Sequence, residues 1–188
     1  LFVLLTFRRF QLAQPVKDRL GIDRLATLPC PSEQRVPFSG REVAEVFRRN
    51  LGQLQGMCFT RAALDAVGPF DTSFRILDDL DLVLRVAARF PALFVDEAVF
   101  RYRRHAGGIA RDRATIREEA IRIADKLVTA HPEVLPVLGR TEFLRRQARR
   151  HARLARERIR AGDPLGARLA LRTARGLRPL NLRYRLEA

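Results

Sequence analysis

The chain has little cysteine, almost no lysine and no long apolar run, and each shortage excludes something. Only Cys30 and Cys58 occur, without a C-x-x-C pair. Neither a zinc site nor a disulfide framework follows from them, and a reducing compartment fits best, with the cytosol as the default. The one continuous apolar stretch, Leu1 to Phe7 (LFVLLTF), is far too short to span a bilayer, and Arg8 and Arg9 follow it in the wrong order for a secretory signal. Lysine is confined to Lys17 and Lys126, which leaves arginine to carry nearly all the positive charge, a bias that a GC-rich genome produces as readily as a ligand does. What remains is ordinary globular material: 188 residues, 47% hydrophobic and 30% charged, long enough for one domain of about 100 to 150 residues plus an appendage.

The net charge of +15 is unevenly placed. Residues 140–188 hold 15 arginines against 4 acids, whereas residues 1–139 hold 21 basic and 17 acidic side chains, so the basicity belongs to the C-terminal tail. Periodicity divides the chain into three blocks. Leu1 to Phe7 suits a buried strand, and the Pro-containing stretch from Gln11 to Gly40 reads as loop. Ser39 then caps a helix with Val43, Val46 and Phe47 on one face and Glu42 in the capping-box position. Leu54 to Phe59 is expected to form a short strand, followed by a helix RAALDAV capped by Thr60 and stopped by Gly68-Pro69. The helix DDLDLVLRVAARF carries Leu80, Val83, Leu84, Ala87 and Phe90 on one stripe, and ALFVD and AVFRYR read as strands. The third block is helical. A segment opening at Asp112 or Thr115 turns Ile116, Ala120, Ile123, Leu127 and His131 to one side. A very basic helix, Thr141 to Ala161, turns Leu144, Ala148, Ala152, Ala155 and Ile159 inward. A hairpin through Gly162, Asp163 and Pro164 leads to a last helix presenting Leu165, Leu169 and Ala174.

Three acids, Asp78, Asp79 and Asp81, crowd the start of one helix. One explanation is structural, since carboxylates complement a helix N-terminus by about 0.3 to 1 kcal/mol each. The other is chemical, because ionised carboxylates at the mouth of a cleft accept a proton from a hydroxyl or bind a metal-ligated substrate. Asp81 lies about 200° around the helix from Asp79 and cannot share its aim. The ordered combination of GPFDTSF, DDLDLVLR and a strand ending in YRRH, within residues 51–110, resembles the second half of the family 2 glycosyltransferases, inverting enzymes of the GT-A fold that use nucleotide sugars.

The resemblance implies an α/β fold: the acceptor-side, C-terminal half of a Rossmann-like GT-A domain at residues 1–110, followed by an all-helical extension at 111–188. It puts Asp79 in the place of the catalytic base, Asp78 where glutamate is usual, and Arg85, Arg103 and His105 in substrate-binding positions. His105 also falls where the family faces the diphosphate or its metal; a surface histidine at a strand end is the other reading. No Asp-x-Asp precedes Gly52. The divalent metal, Mn or Mg, is therefore expected to be held mainly by an upstream half outside this chain, and the fragment to be inactive alone. The implied partners are a nucleotide-sugar donor and a saccharide or lipid-linked acceptor, as in cell-envelope polysaccharide synthesis. The implied location is the cytoplasm, with peripheral contact at an anionic membrane. A helix N-terminus lowers a carboxylate's pKa, so Asp79 is expected to be ionised but only a modest base. The alternative is a basic helical module that binds nucleic acid or anionic membrane without catalysis; arginines encircling the helix and the lone ring of Phe143 do not favour nucleic acid. The breakers between Pro132 and Gly139 make the tail dispensable for the core.

Overall fold

The computed structural model describes residues 3–6, 36–37, 42–49, 54, 57–90, 92–95, 112–179 and 181. In chain order the elements are β1 (Val3–Thr6), β2 (Val36–Pro37), α1 (Glu42–Arg49), β3 (Met57–Cys58), α2 (Arg61–Val67), α3 (Asp78–Ala87), β4 (Ala92–Val95), α4 (Arg113–Ala130), α5 (Val134–Leu138), α6 (Arg140–Arg160) and α7 (Pro164–Leu177). The four strands are two to four residues long and pair in the order β2-β4-β1-β3, with β1 and β4 parallel and the other two pairs antiparallel.

Helix dominates the described residues, and this overturns the expected fold class. An α/β half-domain of Rossmann-like type would alternate strand and helix around an extended parallel sheet. Among the described residues the buried apolar side chains instead lie mainly on helices and pack helix against helix. The expectation overvalued short apolar runs: among the described residues of Leu54 to Phe59 the strand is Met57–Cys58. The proposed strand AVFRYR, Ser39 and the Gln11 to Gly40 loop apart from Val36–Pro37 lie outside the described residues. No helix among the described residues is long and apolar enough to cross a membrane.

Helix ends follow local chemistry closely. Thr60 accepts a hydrogen bond from the Ala63 amide at 3.2 Å and opens α2, and Gly68 closes it at φ 78°, a left-handed conformation that a side chain would strain. Asp112 caps α4 through the Thr115 amide, and Asp163 caps α7 through the Gly166 amide with Pro164 in the first turn. The run from Val134 to Leu138, expected to be a boundary of breakers, is the short helix α5, which buries Val134 and Leu138.

The principal core joins Val43, Val46 and Phe47 of α1, Leu80, Val83, Leu84 and Val86 of α3, Ile123 and Leu127 of α4, Leu138 of α5 and Phe143 of α6. Phe143 stacks on Phe47 with ring centroids 5.8 Å apart, while the Arg150 guanidinium covers the other ring at 4.5 Å from the Phe47 centroid. Polar ties cross the same seam: Arg146 donates to the Arg48 carbonyl at 2.9 Å, and Arg48 to the Leu138 carbonyl at 3.4 Å. The first turns of α6 are thus part of the core.

The hairpin packs differently. Ala148, Ala152 and Ala155 of α6 face Ala167, Ala170, Leu171 and Ala174 of α7, with Ile121 and Leu154 alongside. Small side chains let the two helices approach closely, and the larger residues expected there point outward: Ile159 is 59% exposed, Leu165 77% and Leu169 63%. Of the expected inward face of α4, Ile123 and Leu127 are buried, whereas Ile116, Ala120 and His131 are half-buried.

Candidate active site

The acids sit where α3 begins, and the loop before it is held by side chains from α4. Asp71, in the GPFD turn, accepts from the Ser73 amide at 2.9 Å and from Lys126 Nζ at 2.7 Å. These bonds, Lys126 first, hold the Asp71 carboxyl well below the usual carboxylate range. Lys126 and Arg122 also lie over the Phe74 ring, 5.2 and 4.9 Å from its centroid. Further along, Glu119, only 3% exposed, points its carboxylate at three consecutive backbone amides: Arg75 at 2.6 Å, Ile76 at 3.0 Å and Leu77 at 2.8 Å. A buried carboxylate with three N–H donors fixes the backbone immediately before Asp78.

Asp81 belongs to this scaffold. Its side chain is buried, and its two oxygens take different cations: Oδ1 meets Lys126 Nζ at 2.7 Å and Oδ2 meets Arg85 Nε at 2.8 Å. Arg85, expected to face substrate, directs Nη1 to the Val67 carbonyl at 2.6 Å and Nη2 to the Pro69 carbonyl at 2.9 Å. It thereby satisfies carbonyls at the C-terminal end of α2 with a cation, a favourable pairing for the negative end of a helix. The chain Asp71, Lys126, Asp81, Arg85 ties the GPFD turn, α3, α4 and the end of α2 into one unit. Asp81, expected to be a helix N-terminal charge or turn contact, is a buried carboxylate that neutralises two half-buried cations.

Asp79 is set apart from that network. Its carboxylate is half-buried and accepts from the Leu80 amide at 2.7 Å, with no cation beside it among the described residues. Burial, with the neighbouring Asp78 charge adding to it, pushes its pKa up to about 6 against the lowering effect of the Leu80 amide. This corrects the expectation of a depressed value. The helix N-terminus was expected to stabilise the anion, but loss of water outweighs it here. Asp78 is half-buried alongside.

Metal binding has limited material here. Among the described residues no group of three or more His, Cys, Asp or Glu side chains could hold an ion, so Asp78 and Asp79 alone do not make a metal site. Arg103 and His105 lie outside the described residues. Sequence reasoning missed Glu119 and Lys126, which act on this loop from 44 and 55 residues away. The only trace in the sequence was that Lys126 is one of two lysines. Compared with family models, with curated proteins and with solved structures, the chain matches none.

Proposed function

We propose that the protein takes part in inverting glycosyl transfer from a nucleotide sugar to a hydroxyl of a saccharide or lipid-linked acceptor, with Asp79 as the general base. The observation that carries this is the contrast within one helix turn: Asp81 is neutralised by two cations, while Asp79 has none beside it among the described residues and has a pKa of about 6. A carboxylate raised to that value is about nine-tenths ionised at pH 7 and is a stronger base than an ordinary aspartate. The motif order around it supplies the reaction class. The fold does not, since the described residues are mostly helical.

In the proposed step the acceptor oxygen attacks the anomeric carbon and forms the new glycosidic bond. The bond from that carbon to the diphosphate breaks, its electron pair leaving with the nucleoside diphosphate, and the hydroxyl proton passes to an Asp79 Oδ. Glu119, through the amides of Arg75, Ile76 and Leu77, keeps the start of α3 in place so that little reorganisation accompanies the transfer. A divalent ion, when present, would neutralise charge on the leaving diphosphate; the described residues of this chain do not account for its binding. The cytoplasm, where nucleotide sugars are made, is the proposed location.

The test is nucleoside diphosphate release by the protein as its gene encodes it, measured with a panel of nucleotide sugars, Mn or Mg, and saccharide acceptors. Turnover should rise with pH through a single ionisation near 6, and Asp79→Asn should lower kcat by roughly 10² to 10⁴ with donor affinity little changed. No release with any donor, or a rate indifferent to Asp79→Asn, would refute the assignment.

A further inference from the structure

The outer surface of the α6–α7 hairpin is built unlike the rest of the molecule. Its arginines do not encircle α6 evenly. Several are engaged by neighbouring groups: Arg145 and Arg146 pair with Glu142, Arg150 lies over Phe47 and donates to Gln147, and Arg158 pairs with Glu118. Arg149, Arg153, Arg156 and Arg160 are exposed at spacings of four, three and four, which is one stripe along the helix. Arg160 meets Glu157 at 3.0 Å. The last helix repeats the theme with an apolar component. Because α7 buries its alanines against α6, Leu165 and Leu169 stand outward one turn apart, with exposed Arg168 and Arg172 three residues after each. By the helical period these four side chains occupy an arc of about 100°. Ile159 adds a third exposed aliphatic group at the end of α6, three residues before the turn closes at Gly162.

We propose that this hairpin face docks on an anionic lipid surface, Leu165, Leu169 and Ile159 entering the headgroup boundary while the arginines meet the phosphates. Large aliphatic groups at 59% to 77% exposure beside cations are the arrangement an interfacial helix needs. Charge complementarity points to an anionic partner: residues 140–188 carry 15 arginines and 4 acids, and Glu142, Glu157 and Asp163 are already paired with arginines of the hairpin. Nucleic acid would use the charge but not the leucines, and it would want exposed rings for stacking; the one aromatic side chain of α6, Phe143, is buried in the core. The proposal uses none of the residues of the catalytic reading, so it holds or fails independently of it.

The experiment is co-sedimentation of the full chain with vesicles of phosphatidylcholine alone or mixed with phosphatidylglycerol, with an unrelated single-stranded RNA as the competing probe. Expected are binding to the phosphatidylglycerol vesicles at low salt, a loss of about tenfold when that lipid is omitted or salt is raised to about 0.5 M, and a further loss for Leu165→Ser with Leu169→Ser at unchanged melting temperature. Arg168→Gln with Arg172→Gln should weaken binding in parallel. Absence of binding to anionic vesicles, binding unaffected by the leucine pair, or tight RNA binding that vesicles cannot displace would each overturn the proposal.

Discussion

The start of α3 and the α6–α7 hairpin both concentrate charge of one sign, and the molecule handles them in opposite ways. At α3 the acids are drawn inward. Asp81 is neutralised by Lys126 and Arg85, Glu119 by three amides, and Asp79 is half-buried without a cation among the described residues. In the hairpin the charges are sorted outward, several arginines joining ion pairs and Arg149, Arg153, Arg156 and Arg160 lining one exposed stripe, Arg160 beside Glu157. The lesson is that density of charge in a sequence says little until partners are counted. A carboxylate near opposite charge is held as scaffold, whereas one that is dehydrated without a cation has its pKa raised.

The comparison can be broken most severely in the core that both regions share. Phe143→Ala should cost about 3 to 5 kcal/mol of unfolding free energy, since it removes the ring that stacks on Phe47; denaturant titration measures it, and a cost under about 1 kcal/mol would show the hairpin to be an appendage after all. Asp81→Asn should cost about 3 kcal/mol by leaving Lys126 and Arg85 short of a buried counter-charge. Glu119→Gln should cost somewhat less, about 2 kcal/mol, because one amide oxygen remains to serve three N–H groups. It should also lower turnover without moving the pH profile, as a positioning residue would.

The effect of opposite sign belongs to Asp79. Its folded pKa of about 6 lies above the ordinary 3.8, so the native state holds the proton more tightly than the unfolded chain does. Stability therefore falls as pH rises between about 4 and 6, and the deficit is fully present above 6. Asp79→Asn should remove that deficit, leaving the variant equal to or more stable than the parent at pH 7 and indistinguishable in slope below pH 4. Melting curves at half-unit pH intervals would show it.

Helix boundaries were legible because they are set by neighbours in sequence: Thr60, Gly68, Asp112, Gly162 and Asp163 each act within four residues. The acid pair was legible as a candidate for the same reason. The face of the hairpin was not. Sequence periodicity assigns the largest apolar residues to the inside, and Ile159, Leu165 and Leu169 satisfy that period, yet close approach of two helices is won by alanine. Nor was the charge state of Asp79, since a helix N-terminus is visible in sequence while the burial that opposes it comes from packing. The ties of Lys126 and Glu119 to the loop bridge more than 40 residues and leave no local pattern. The fold class failed on the same ground, because short apolar runs around residues 54–59 have the composition of strands and only tertiary contacts decide how far the pairing extends.

The most direct test sets Asp79→Asn beside Asp81→Asn in the same protein and measures turnover per folded molecule and melting temperature for both. The account predicts crossed effects. Asp79→Asn should lose roughly 10² to 10⁴ in kcat while melting no lower than the parent at pH 7, and Asp81→Asn should melt several degrees lower while the fraction that folds keeps its turnover within about threefold. An Asp79→Asn protein that folds and turns over within about threefold of the parent would contradict it, and would leave all three acids as parts of a helix start.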